Sequence, residues 1–377
     1  MAKIFLLVNY TPDDPSIGIT KKIGAQIRAL RELGHDVTYT AYIMNGIAIF
    51  DNNDQIVLSK SYPIKNRKLI SWFRYTLLLR TALSYVEEKK QKYDYCYGRI
   101  SAPNSCYLKL LGKLKSQGAT VIIESLSYFP GVRPKAIKSR YIAFYLRKNR
   151  KKLKQYIDKF ITEGEVPEFY GVITEKGKIG VAVDELPIHR YNGDKDELHL
   201  ITVATEREYH GYDRLIKSYI AYKNAGGTIP ITIHLVGGLY DSTKKLIQES
   251  GYKDNIIAYG RVSGEPLHDL YNRCNLGIGP LGQHRVGGKK DTGLKTKEYF
   301  GIGLPYFYAG VEEDLPENYQ YVYQVPSDES NLDFELIWAF YKRIRDKETL
   351  NTDMRDFANT MFSWRAIMQQ ALVVPKE

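Results

Sequence analysis

The segment from Gly282 to Pro305 gathers residue types that bind an anion. Gly282, Gly287, Gly288 and Gly293 alternate with Arg285, Lys289, Lys290 and Lys295, directly after the apolar run Leu276 to Gly279. Glycines leave backbone N–H groups approachable, and the pattern predicts a helix from near Thr292 whose positive end faces the same loop. The full charges of Arg285, Lys289, Lys290 and Lys295 suit a diphosphate. Glu298, on the first turn of that helix, brings a carboxylate able to accept two hydroxyl hydrogen bonds from a ribose. The same composition also describes a glycine-rich surface loop with solvated lysines. In the first half, Glu124 ends the apolar run Val121 to Ile123 and precedes Tyr128 and Pro130, while Arg99 ends Tyr97-Gly98-Arg99. Two readings stand for Glu124: an acceptor or cleft role, and a helix cap or buried ion pair. Arg99 suits an acceptor phosphate or a structural pair with Glu124. The seven histidines and the acids show no HxxxH or Asp-x-Asp spacing suited to Mg or Mn, so no metal is expected.

These residues need elements to hold them. Short β-rich runs alternate with helical patterns, the mark of βαβ units and a parallel sheet. Strands are expected at Ile4 to Val8, Asp36 to Tyr42, Tyr93 to Tyr97 and Thr120 to Ile123, with helices at Ile17 to Leu33 and Asn104 to Ser116. The series restarts near residue 190 with strands Leu198 to Val203, Ile231 to Val236, Ile256 to Tyr259 and Leu276 to Gly279. Between and after them, helices are expected at Tyr212 to Tyr222, Ser242 to Glu249, Pro266 to Asn272 and Leu294 to Tyr299. Asn351 to Leu372 reads as one helical stretch that either caps the second domain or crosses back to the first. In such α/β sheets ligands sit at the carboxyl ends of strands.

The 377 residues, 44% hydrophobic and 26% charged, exclude disorder as the main state. Their most apolar stretches, Leu77 to Leu79 and Tyr141 to Leu146, are far shorter than the ~20 residues of a membrane span. Met1 to Tyr10 reads as a strand and not as a signal peptide. Cys96, Cys106 and Cys274 form no CxxC and an odd number, which fits a reduced, cytoplasmic compartment. The net charge of +11 is unevenly placed: residues 1 to 186 hold 31 basic against 17 acidic side chains, the remainder 23 against 26. Arg133 to Lys154 alone holds ten basic residues and no acid. With Ile137, Tyr141, Ile142, Phe144, Tyr145, Leu146 and Leu153 interleaved, this stretch predicts a helix suited to an anionic lipid surface. A basic nucleic-acid-binding protein is the alternative, but no helix-turn-helix, RNA-recognition or zinc-finger signature accompanies the charge.

Glu298-Tyr-Phe-Gly-Ile-Gly303-Leu-Pro305 resembles the second half of the Glu-x7-Glu signature of family 4 retaining glycosyltransferases. Leu294-Lys-Thr-Lys-Glu-Tyr is similar to members that build bacterial capsular polysaccharide and exopolysaccharide. Further matches are Ile201 to Ile216, His234-Leu-Val-Gly-Gly238, Tyr259-Gly-Arg-Val262, Leu270 to Pro280 and Phe362-Ser-Trp364. The resemblance is strong over 198 to 310 and weak in the first half. Lys290, with Asp291 beside it, stands where the signature has its first Glu.

The resemblance implies an α/β chain of GT-B fold: two Rossmann-like domains facing a cleft, with a C-terminal helix crossing back. The first, acceptor-binding domain would be 1–188 with helix 360–377, and the nucleotide-sugar domain 189–359. It further implies that Glu298 binds the ribose and that Lys290, Asp291 and the backbone of Thr292, Gly293 and Leu294 meet the diphosphate or sugar, with Lys295 nearby. Arg207, or Thr205 by another alignment, would face the leaving diphosphate, and His210 stands where many members have Lys. Gly237 and the backbone near Arg261 would contact the nucleotide, and Gly18 would let backbone approach the phosphates. Glu124 completes the catalytic set. The activity implied is metal-independent, retaining hexosyl transfer from a UDP- or GDP-sugar co-substrate, without a further cofactor, to a lipid-linked or glycan acceptor. It would take place at the inner face of the plasma membrane, on an anionic surface, without nucleic acid. A GT-B epimerase or phosphorylase shares the fold.

Overall fold

The computed structural model describes residues 1–14, 18–63, 67–89, 91–100, 102–125, 137–162, 166–287 and 293–374. The chain forms two compact units, 1–178 with 364–377, and 179–363.

In the first unit the strands are β1 (Lys3–Tyr10), β2 (Asp36–Ile43), β3 (Gly46–Phe50), β4 (Ile56–Ser61), β5 (Tyr95–Arg99), β6 (Thr120–Ser125), β7 (Lys159–Thr162), β8 (Glu168–Phe169) and β9 (Val172–Lys176). They lie in the order β4-β3-β2-β1-β5-β6-β7-β9-β8. The pairs from β2 to β9 across the centre are parallel, and the hairpin β3–β4 extends one edge antiparallel. β1 is central because Ile4 to Val8 are apolar on both faces, and all five are buried. The helices are α1 (Gly18–Glu32), α2 (Arg67–Glu88), α3 (Ser105–Ser116) and α4 (Ile137–Tyr156). α1 buries Ile23, Ile27 and Leu30, spaced along one stripe, while Lys21 and Arg28 face water. It stops at Gly34, whose φ of +81° suits a glycine after a helix. Asn104 caps α3, its Oδ1 accepting from the N–H groups of Cys106 (3.1 Å) and Tyr107 (3.0 Å).

The second unit carries β10 (Leu198–Val203), β11 (Ile231–Val236), β12 (Ile256–Gly260), β13 (Leu276–Ile278), β14 (Tyr306–Ala309) and β15 (Val322–Val325). All pairs are parallel in the order β12-β11-β10-β13-β14-β15. The helices are α5 (Tyr212–Asn224), α6 (Asp241–Glu249), α7 (Glu265–Asn272), α8 (Leu294–Ile302), α9 (Phe334–Ile344) and α10 (Leu350–Met361). The last helix of the chain, α11 (Trp364–Ala371), belongs to the first unit.

Two boundaries differ from the sequence expectation. The units divide at 178/179 and not at 188, because Val181 and Val183 sit in the second core. There Val181 N–H donates to Phe362 O (2.9 Å), and Arg355 binds the carbonyls of Val183, Leu186 and Gly301. The expected single helix 351–372 is broken at the same place, where Phe362 leaves helical backbone and pairs with Val181. Each half then follows one of the two expectations. α10 buries Met354 and Ala358 in the second core, while the Trp364 ring of α11 lies under Lys22 of α1 (5.5 Å).

Candidate functional site

In the second sheet the strand order reverses between β10 and β13, which leaves a crevice at their carboxyl ends. The loops that follow these strands are bonded to each other there. Leu281 N–H donates to His210 O (3.2 Å) and Gly282 N–H to Tyr209 O (3.0 Å). Gly211 permits this approach: its φ is +65°, and a Cβ would lie 3.0 Å from Gly282 N. Gly237 has φ +127°, its N–H donates to Gly260 O (2.6 Å), and a Cβ would collide with Ala204 O. It therefore ties together the ends of β10, β11 and β12. Buried Glu206 reinforces the junction by accepting from Tyr240 N–H (2.6 Å) and Thr243 Oγ1 (2.6 Å).

α8 opens onto this crevice. Gly293 is its N-cap, with extended backbone, and its carbonyl accepts from Thr296 Oγ1 (3.0 Å). Helix geometry leaves the first-turn amides without an intrahelical acceptor, a positive end suited to phosphate. Leu294 is exposed, and half-buried Glu298 lies one turn into the helix, within electrostatic reach of Tyr271 on α7. Lys290, Asp291 and Thr292 lie outside the described residues, as does Lys289. Arg261 is exposed just beyond β12. Arg207 is exposed too, and lines an open cavity of about 660 Å³ with Lys217, Tyr240, Lys245 and Arg285.

Two of the expected phosphate cations are placed otherwise. Arg285 is committed to carboxylates: to Asp213 at 2.6 and 3.2 Å and to Glu329 at 2.6 and 2.7 Å. These bonds raise its pKa further and hold Glu329 down to about 2, with His284 adding to the effect. Lys295 points into the unit. It is buried, its Nζ donates to Thr202 Oγ1 (3.1 Å), and the Tyr212 ring lies 6.0 Å away. Burial lowers it to about 7 against the opposing charge of Glu312. Glu312, beyond β14, is itself raised to about 7 by burial, although it accepts from Tyr306 OH (2.7 Å).

His210 is buried and stacked on Tyr212 (5.4 Å, 18°). Its Nδ1 accepts from Arg207 N–H (3.1 Å), and burial, then Lys295 and Arg207, push it down to about 3. The imidazole is therefore neutral with its hydrogen on Nε2, a donor without a full charge.

In the first unit, Gly18 is exposed at the start of α1, and a Cβ there would meet nothing within 4 Å. Glu124 is buried and held by Gln26 Nε2 (2.7 Å), Tyr97 OH (2.5 Å) and Lys22 Nζ (2.9 Å), with Arg99 Nε at 3.7 Å. Burial alone would raise its pKa, but Lys22, the Tyr97 bond and Arg99 outweigh it and keep the carboxyl below its ordinary value. A carboxylate kept ionised with both oxygens occupied is a positioning group and is poorly set to act as a proton donor. Tyr128 and Pro130 lie outside the described residues.

Several residues of the second site had no role singled out in the sequence, although Thr202, Tyr212 and Arg214 lie in the segment Ile201 to Ile216 that carries the resemblance. Thr202, Tyr212 and Glu312 surround Lys295, and Arg214 ties the loop after β13 (Leu281 O, 2.9 Å) to Pro326 O (3.0 Å) and Ser330 O (2.9 Å). A polar residue on an amphipathic helix shows its buried role only once its neighbours are placed.

No family model matches this sequence, and no curated protein does. Solved structures do match along nearly the whole chain. A glycosyltransferase from Rickettsia africae aligns with TM-score 0.59 at 14% identity, over 98% of this chain and 97% of that one. The Anabaena protein HepE in complex with UDP aligns with TM-score 0.53 at 12% identity, over 98% of both chains. The sucrose-phosphate synthase of Thermosynechococcus elongatus gives 0.52 at 16%, over 98% and 97%. Likeness at such identities speaks for architecture, and the architecture is that of GT-B glycosyltransferases, two Rossmann-like α/β units.

Proposed function

We propose that this protein is a retaining glycosyltransferase that moves a hexosyl group from a UDP- or GDP-sugar to a lipid-linked or glycan acceptor, in the synthesis of bacterial surface polysaccharide. The carrying observation is the carboxyl edge of the second sheet, where the N-terminus of α8, the neutral donor His210 and the buried ammonium of Lys295 converge with no carboxylate paired to that lysine among the described residues. The matched Anabaena protein was crystallised with UDP, which agrees with a nucleoside-diphosphate donor.

In the reaction, the bond between the anomeric carbon and the diphosphate oxygen breaks, and its electron pair leaves with the diphosphate. The acceptor hydroxyl forms the new bond on the same face, and its proton passes to the departing diphosphate oxygen. The chain has to stabilise the developing negative charge and keep water out. The first-turn amides of α8, Arg207, the Nε2–H of His210 and Lys295 serve the first task, and Glu298 holds the ribose. Lys290, Asp291 and the backbone of Thr292 and Gly293 complete the donor loop, with Gly237 and Arg261 toward the nucleotide. On the acceptor unit Glu124 fixes Lys22 and Arg99, and Gly18 leaves the start of α1 open.

A thermal-shift screen of nucleotide-sugars, followed by product mass and anomeric configuration, tests the reading. Stabilisation by UDP- or GDP-sugars and a retained product are expected. Conversion of the nucleotide-sugar to an isomer without any acceptor would favour an epimerase, formation of a sugar 1-phosphate from a glycan and inorganic phosphate would favour a phosphorylase, and no shift with any nucleotide-sugar would overturn the assignment.

A further inference from the structure

Helix α4 (Ile137–Tyr156) turns Ile142, Leu146 and Leu153 into the core of the first unit, and Asn149 anchors it through Nδ2 to Pro103 O (2.8 Å). Its outer arc is cationic: Arg140, Arg147, Lys148, Arg150, Lys151, Lys152 and Lys154 are all exposed. The helix contains no acid. Three like-charged pairs stand four residues apart, Arg147 with Lys151, Lys148 with Lys152 and Arg150 with Lys154. Each repels along the helix, where a water-facing helix ordinarily mixes signs. Among the described residues, none of these cations lies within ion-pair distance of a carboxylate.

Two aromatic rings interrupt this arc. Tyr141 is 51% and Phe144 53% exposed, one turn apart, with Tyr145 packed against both at 4.8 and 5.5 Å. Lys148 Nζ lies 6.0 Å from the Phe144 ring. Phe144 has no polar atom to offer water or a base edge. An apolar wedge within a one-signed cationic arc matches the boundary of an anionic bilayer, where rings enter the acyl layer and ammonium and guanidinium groups stay among headgroups.

We propose that the outer face of α4 docks the protein on an anionic lipid bilayer, with Tyr141 and Phe144 inserted and Arg147 to Lys154 on the headgroups. The surface belongs to the first unit alone and does not depend on the donor assignment in the second.

The test uses the full chain and sedimentation with vesicles of phosphatidylcholine, either alone or mixed with phosphatidylglycerol. The wild type should pellet with the mixed vesicles at roughly 0.15 M salt and not with phosphatidylcholine alone. Replacing Lys148, Arg150, Lys151 and Lys152 with Gln should weaken partition by about 100-fold or more. Tyr141→Ser with Phe144→Ser should weaken it by about tenfold at every salt concentration, which a purely ionic contact would not show. Phe144→Trp supplies a readout that does not need the loss variants to fold: its added emission should move to the blue on mixed vesicles. Failure of the wild type to pellet, aromatic variants that bind like wild type, or tighter binding to duplex DNA than to mixed vesicles would each overturn the proposal.

Discussion

Buried charge is handled in opposite ways at the carboxyl edges of the two sheets. In the first unit, Glu124 is surrounded by Lys22, Arg99, Gln26 and Tyr97, so its charge is answered within the chain. In the second, Lys295 Nζ donates to the Thr202 hydroxyl and has no carboxylate within ion-pair distance among the described residues; Glu312 opposes its charge only in part and is itself raised to about 7, and the neighbouring His210 is neutral. A compensated charge stiffens its surroundings and asks for nothing from solution. A buried ammonium compensated only in part loses its proton near neutrality unless an anion arrives to hold it. The contrast marks the second edge as the place that gains most from a bound diphosphate, and the first as a scaffold.

The largest effect that sharpens this contrast lies at Glu298. With the ribose held by Glu298 as proposed, Glu298→Ala would remove charged hydrogen bonds to two hydroxyls, each of roughly 1.5 to 3 kcal/mol, so kcat/KM should fall by ~100-fold or more. Unchanged kinetics in a folded variant would remove the ribose from this helix. Next comes the first edge. Glu124→Ala leaves half-buried Lys22 without its carboxylate and takes the acceptor from Gln26 Nε2 and Tyr97 OH, and should lower unfolding free energy by about 3 kcal/mol, measured by urea titration. The carboxyl is depressed in the fold, so its contribution is complete above the unfolded value of about 4.3 and is lost as pH falls through the lower folded value. A variant as stable as wild type would show that the ion pair does not brace this unit.

A smaller effect is expected at Lys295. Since its free-protein pKa is about 7, nucleoside diphosphate affinity should decline above that pH, approaching tenfold per unit, with proton uptake on binding visible by calorimetry in two buffers. Lys295→Met should flatten the profile. In the absence of nucleotide the sign is reversed: the unfolded lysine holds its proton up to about 10.4, so stability should rise with pH between about 7 and 10.4. Equal affinity at about pH 6 and about pH 9 would place the ammonium away from the anion. The smallest effect is none at all: transfer should continue in excess chelator, and loss of activity restored by Mn or Mg would mean that a metal builds the anion site.

In the second sheet β10, β11 and β13 were legible because they are short apolar runs, largely buried, each followed by a helix, whereas β14 and β15, which follow one another with no helix between them, were not among the expected strands. Leu198–Val203 and Ile231–Val236 agree with the expected ranges, and β13 is one residue shorter than expected. The first sheet was less legible. β5 is Tyr95–Arg99, two residues later than expected, and β4 is a half-exposed edge strand whose Ser59, Lys60 and Ser61 blur the alternation. β7 begins with buried Lys159, a residue that argues against a core strand until Glu175 appears 2.6 Å from its Nζ.

What the sequence alone determined is therefore local: apolar periodicity, the glycine punctuation at Gly34 and Gly211, the position of Glu298 on a helix after a loop, and the one-signed charge of α4. Direction was decided elsewhere. That Lys295 turns inward to Thr202, that Arg285 is taken by Asp213 and Glu329, that Glu124 is ion-paired and that 351–372 is split between two units all depend on partners remote in sequence. A side chain's charge is written in its codon, but whether that charge is solvated, paired or stranded is set by the dielectric and the neighbours that packing brings to it.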